Sequence, residues 1–250
     1  MPFCFFRLGF LRSGDRPNAA LHLRAALLLL VVCNLLAFSG TLVNDFVAWD
    51  DDYLLLHNTA YRGISAESIR WMFTTTLGGH FQPLTWLSFA LEYSLWGVNP
   101  AGAHFVNLLL HTGTSIVVFF IARALLRPSG HAGPSVPSRP ILAPLIASLA
   151  FSVHPLRVES VAWATERRDV LSAIGLTMAT LLYLRAIEPG RPRANPRYLM
   201  WAHVAYLVSL LSKASGMTWP FVLLVLDVYP LKRVGPFAAR TGKGTWRRCV

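Results

Sequence analysis

Ala25 to Asn44 is a run of 20 residues without a single Asp, Glu, Lys or Arg. No other feature restricts the chain as much. A helix that crosses the hydrocarbon of a bilayer needs about 20 mostly apolar residues. The run is too long for the apolar core of a signal peptide, about 7 to 15 residues, and no A-x-A site follows, so it reads as an uncleaved first span. Tyr93 to Ala122 is also free of charge, and the second span is expected near Ala103 to Leu125. Further spans are expected at 140–156, 170–187, 198–213 and 214–231, the last interrupted only by Asp227. Arg185 and Lys213 at span ends can snorkel, which lengthens the usable apolar run. Hydrophobic residues make up 54% of the chain and charged residues 14%, against about 25% charged in a soluble domain. The fold class that follows is all-α, a polytopic membrane helix bundle of about six spans.

Charge supplies an orientation. Six spans leave both termini on one side. That side would carry Arg7, Arg12, Arg16 and Arg24, the loops with Arg123, Arg127 and Arg139 and with Arg185, Arg191, Arg193 and Arg197, and a tail with Lys232, Arg233, Arg240, Lys243, Arg247 and Arg248. These are 17 basic residues, against six (Arg62, Arg70, Arg157, Arg167, Arg168 and Lys213) on the other side. The positive-inside rule then makes both termini cytoplasmic. The domain reading is a basic N-terminus over 1–24, a membrane domain over 25–233 with an external loop over 45–102, and a basic tail over 234–250. A net charge of +11 would point to nucleic acid in a soluble protein. Here the basic residues lie between apolar runs, and no nucleic-acid partner is expected. Cys4, Cys33 and Cys249 are too far apart to read as a disulfide framework or a zinc site. Nine of the twelve acids fall in the external segments, so the chemistry is expected there.

The first external loop is too long for a connector and is expected to contain helices of its own. Ser65-Ala66-Glu67-Ser68 looks like a helix N-cap, and Pro83 opens a second segment rich in aromatic residues that suits the membrane interface. Arg127 to Pro140 and Glu188 to Pro196 read as linkers. Three constellations carry polar chemistry. Trp49-Asp50-Asp51-Asp52-Tyr53 follows the first span. Adjacent carboxylates suit a general base or a cation site, but spacing alone favours a solvated acidic turn. His104, Asn107 and His111 share one face of the second span, as ligand contacts or as interhelical hydrogen bonds. His154-Pro155 is followed by Glu159, Trp163 and Glu166 at i, i+4 and i+7, then Arg167, Arg168 and Asp169. Those arginines suit a phosphate, or a salt-bridged interfacial helix. Lys213 closes the fifth span, and Asp227 is given no role.

Taken in order, Phe46-Val47-Ala48-Trp49-Asp50-Asp51-Asp52, Gln82-Pro83-Leu84-Thr85-Trp86-Leu87-Ser88, His104 to His111, His154 to Trp163, Glu166-Arg167-Arg168-Asp169-Val170-Leu171 and Leu211-Ser212-Lys213 resemble the membrane half of the transmembrane and tetratricopeptide-repeat protein family. Animal members of that family are O-mannosyltransferases, and it has many bacterial relatives. The resemblance covers Leu42 to Arg233. It implies a GT-C-like N-terminal half and transfer of a sugar from a polyprenyl-phosphate donor to a protein or glycan acceptor at the external face. It implies Asp50 and Asp51 as the catalytic carboxylates, with Asp52 beside them. Arg167, Lys213 and Arg168 would face the donor phosphate, and His104, His154 and Glu159 would position donor or acceptor. No cofactor is identified, although a divalent cation near Asp50 and Asp51 is one use for the acidic run. The chain is read as the N-terminal portion of a bacterial member, lying in the inner membrane with a periplasmic active face. The residues themselves leave two other readings, a non-catalytic membrane scaffold and a transporter. A transporter concentrates ionisable groups at mid-membrane, whereas here they gather at one face.

The charge split predicts that a single cysteine placed at position 193 is labelled from the cytoplasmic side only. Labelling there by an impermeant maleimide from outside intact cells contradicts the orientation.

Overall fold

The computed structural model describes residues 17–126, 141–187 and 193–233. The expected linker at 127–140, the tail from 234 onward and most of the basic N-terminus lie outside the described residues. Among the described residues the regular structure is helical, with no strand. The α-helices are α1 (Pro17–Phe38), α2 (Ala66–Met72), α3 (Pro83–Trp96), α4 (Pro100–Leu125), α5 (Leu142–Ser152), α6 (Arg157–Ala162), α7 (Arg167–Ala186), α8 (Pro196–Ser212) and α9 (Trp219–Val228). Their starts follow local chemistry. Ser65 accepts the backbone N–H of Ser68 at the head of α2, and Asn99 accepts that of Gly102 at the head of α4. Pro83, Pro100 and Pro196 open α3, α4 and α8, where the missing N–H costs nothing.

Helices occupy each of the six stretches expected to span, but three are long and apolar enough to cross a membrane: Ala19–Val43, Pro100–Leu125 and Ala164–Ala186. The stretches expected at 140–156 and 214–231 contain α5, of 11 residues, and α9, of 10. At 1.5 Å per residue, 11 residues cover roughly 16 Å of a hydrocarbon core about 30 Å thick. Pro155 disfavours helical backbone at His154, and Pro230 does the same at Tyr229, which limits the C-terminal ends of α5 and α9. Ahead of α9, Ala214–Thr218 forms a 3-10 turn that does not join its α-helix.

α4 lies at the centre, against α1, α5 and α7. Ala26 and Leu30 of α1 meet Phe119 of α4, with Leu145 and Leu149 of α5 packed around them. α7 and α8 approach closely because small residues line the seam. Gly175 faces the α8 backbone, Ala179 and Ala202 are buried, and the Ser172 and Ser209 hydroxyls bond at 2.8 Å. The helices of the first loop have their own core, in which Tyr61 stacks on Trp86 and Phe89 and Met72 are buried. Burial pushes the Tyr61 phenol pKa up, and its hydroxyl donates to the Leu55 carbonyl. Leu28, Leu36, Leu207, Phe221, Leu224 and Val225 remain exposed on the bundle exterior, which in water would be a liability and in lipid is the expected lining.

A Cβ at Gly175 would lie 2.9 Å from the Ser209 nitrogen and 3.0 Å from the Ala205 carbonyl oxygen. Gly175→Ala should therefore destabilise the bundle by about 1–3 kcal/mol. At Gly113 the added methyl meets only the mobile tip of Ile174, and Gly113→Ala should cost less. Unfolding in mixed detergent measures both, and equal stability of Gly175→Ala and wild type contradicts the close seam.

Candidate active site at one end of the bundle

The three aspartates after the first span occupy three different environments. Asp51 is fully buried. One carboxylate oxygen accepts the Val47 N–H at 3.0 Å, and the other accepts the Thr165 N–H at 2.9 Å, 114 residues away. Asp51 thus folds its own loop and ties it to the entry of α7. Asp52 lies 3.2 Å from His57, with both side chains well exposed. Asp50 is half-buried, and its carboxylate takes up no hydrogen bond or ion pair among the described residues. The sequence reading treated Asp50 and Asp51 alike. Full burial and two backbone donors leave Asp51 no open side to meet a substrate.

Arg167 departs furthest from expectation. Its side chain has no solvent exposure. Nε donates to Asn107 Oδ1, Nη1 to the Ser88 hydroxyl at 3.0 Å, and Nη2 to Glu92 at 2.7 Å and to the Ala103 carbonyl at 2.8 Å. The guanidinium also lies over the Phe89 ring at 4.6 Å. It joins α3, α4 and α7 and has no open side to offer a phosphate. The neighbouring cations differ. Lys213, with its side chain 30% exposed, contacts Asp169 and lies 3.5 Å from Glu166, while Arg168 bonds the other oxygen of Glu166. Ser160 donates to Asp169 at 3.4 Å. Because Thr165 is held by Asp51 and precedes Glu166, the acidic loop and the Glu166–Arg168–Asp169–Lys213 cluster are adjacent parts of one end of the bundle.

The remaining expected residues divide. His104 is fully buried, within electrostatic reach of Asp51, Arg167 and Glu92, so it is not a ligand contact in this conformation. On the same face of α4, Asn107 donates to the Trp163 carbonyl at 2.9 Å, and His111 Nε2 lies 2.8 Å from the Ser152 carbonyl. This face therefore does interhelical work. His154 is exposed, with Nδ1 accepting the Leu156 N–H. Glu159 is exposed and lines an open groove of about 320 Å³ with Val47, Trp49, Val158, Ala162 and Trp163. The groove is mostly apolar, and neither Arg167 nor Lys213 lines it. No group of three His, Cys, Asp or Glu among the described residues converges on a metal position. With both Asp51 oxygens taken and Asp52 turned to His57, the acidic run does not form a cation cage, and the expected divalent ion finds no fit.

Sequence reasoning assigned no role to Ser88 or Glu92, and it gave Glu166 and Asp169 only a place in a salt-bridged interfacial helix, where both do form ion pairs. The lone Glu92 inside an apolar helix was the available signal for a buried ion pair, since an unpaired carboxylate there is too costly. Arg167→Ala should lose about 3–5 kcal/mol of stability by stranding Glu92. Thermal unfolding in detergent reads this, and a stable Arg167→Ala protein would return Arg167 to the list of ligand contacts.

No family model and no solved structure matches the chain. Curated relatives do. The chain is 32% identical over 167 residues to Protein O-mannosyl-transferase Tmtc3 of Drosophila melanogaster, covering 62% of this chain and 18% of that protein. It is 29% identical over 222 residues to Protein O-mannosyl-transferase TMTC4 of Mus musculus, covering 82% and 30%. It is 27% identical over 242 residues to Protein O-mannosyl-transferase TMTC1 of Homo sapiens, covering 88% and 26%. These relatives are animal proteins and lend no support to a bacterial origin or an inner-membrane location. The chain spans less than a third of the length of the curated relatives it matches. This integral membrane chain is thus a sequence homologue of proteins that bear the name protein O-mannosyl-transferase, alike over most of its own length.

Proposed function

We propose that the chain carries the membrane region of a glycosyltransferase of the transmembrane and tetratricopeptide-repeat family, GT-C-like in architecture. It moves a sugar from a polyprenyl-phosphate donor to a hydroxyl of a protein acceptor on the external face. The six helical stretches, α5 and α9 being short, are its spans, and both termini are cytoplasmic. The observation that supports this reading is the Asp51–Thr165 hydrogen bond, because it ties the loop that carries Asp50 to the entry of α7, where Glu166, Arg168 and Asp169 follow.

Two needs of glycosyl transfer are met there. The acceptor hydroxyl attacks the anomeric carbon and must lose its proton, which Asp50 takes. The bond from that carbon to the phosphate oxygen breaks, and the phosphate leaves with the electron pair and gains negative charge. Lys213 and Arg168 are the cations that meet it. Glu166 and Asp169 hold them until the donor arrives. Asp51 keeps Asp50 and the α7 entry in register, and Arg167 sustains the packing behind them. Glu159, Trp49 and Trp163 line the open groove, His154 and Asp52 are exposed, and no step calls on a metal.

Transfer of radiolabelled mannose from polyprenyl-phosphate mannose, in membranes with matched expression, tests the assignment. Asp50→Asn should lower transfer by about 10²- to 10⁴-fold, the range of a positioned base. Lys213→Gln should chiefly raise the donor KM. Transfer at the wild-type rate by Asp50→Asn contradicts the proposal.

A further inference from the structure

Thr85 has no part in the chemistry described so far, yet it connects the first-loop helix to the end of α8. The residue is fully buried in the first turn of α3. Its hydroxyl donates to the Ser212 carbonyl at 3.2 Å, across 127 positions of sequence. Ser212 is itself buried and is the last residue of α8, where helix carbonyls lack partners within the helix. The next residue, Lys213, leaves the helix with extended backbone (φ −156°, ψ 138°) and sends its ammonium to Asp169 and Glu166.

The bond is not an isolated contact. Thr85, Ser88, Phe89 and Glu92 stand at i, i+3, i+4 and i+7, which is one face of a helix. Ser88, Phe89 and Glu92 all engage Arg167. The face of α3 that is anchored to α7 by a buried guanidinium therefore also presents the Thr85 hydroxyl to the end of α8. A donor on an anchored helix can fix an acceptor on its neighbour.

We propose that Thr85 is a positioning residue of the site: by holding the Ser212 carbonyl, it sets where the Lys213 ammonium stands against Glu166 and Asp169. Its consequence for sugar transfer rests on Lys213 serving the donor phosphate. The placement itself does not.

Amine acetylation followed by peptide mass spectrometry tests this on the whole protein in detergent, with the exposed Lys232 as internal reference. Thr85→Val keeps the shape and removes the hydroxyl. It should raise the labelling rate of Lys213 about three- to tenfold, the worth of one buried hydrogen bond, and leave Lys232 unchanged. Thr85→Ser should restore the wild-type rate. Thr85→Ala serves if the valine variant does not accumulate, with the same expectation. An unchanged Lys213 rate overturns the proposal, and so does an equal rise at Lys232, which would signal general loosening. A second arm adds polyprenyl phosphate to the wild type. Slowed labelling of Lys213 supports its role toward the donor. Unslowed labelling removes that role while leaving the positioning result to stand by itself.

Discussion

A buried guanidinium must be paid for by its surroundings, and in this protein the surroundings of Arg167 are three helices. Removing a charge from water costs several kcal/mol, which only near-complete pairing offsets. Arg167 obtains this from Glu92 and Ser88 of α3, the Asn107 side chain and Ala103 carbonyl of α4, and the Phe89 ring. Such a pair need not add net stability over an apolar core. It does restrict how the helices fit, because a shift of one turn would leave a charge unmatched. The first loop is thereby attached to the membrane helices at a defined place, and the start of α7 is defined with it.

The polar residues at this end then separate by whether their capacity is already taken. Asp51, Arg167, Asn107 and His104 lie buried, and the first three are engaged by groups from distant parts of the chain. Asp50, Lys213, Arg168 and Glu159 keep exposure or contacts that a ligand can exchange. Identical residue types fall on both sides of this line. Adjacent aspartates and adjacent arginines differ in burial and in partners, because successive side chains leave the backbone in different directions.

The helical membrane class was legible in the sequence, since uncharged runs such as Ala25–Asn44 leave few alternatives. The N-cap at Ser65 and the helix start at Pro83 were legible as well, because both act through local backbone chemistry. The lengths of the α-helices in the later stretches were less legible, because apolar residues run on after Ser152 and before Trp219, where the α-helix is not continued. Motif order pointed to these segments, and the structure ties the Asp51 loop, Thr165 and the ion pairs of Lys213 to one end of the bundle. The division of labour between Asp50 and Asp51, or Arg167 and Arg168, depends on contacts made 60 to 114 residues away. Spacing along one segment contains no information about such contacts.

The central claim is that the cations available to a donor phosphate are Lys213 and Arg168, while Arg167 belongs to the core. An experimentally determined structure of the protein with a polyprenyl-phosphate sugar bound addresses it directly. The account predicts the phosphate against Lys213 and Arg168, with Arg167 still paired to Glu92 and Asp51 still holding the Thr165 N–H. A phosphate bound by Arg167, with Glu92 released, would contradict it.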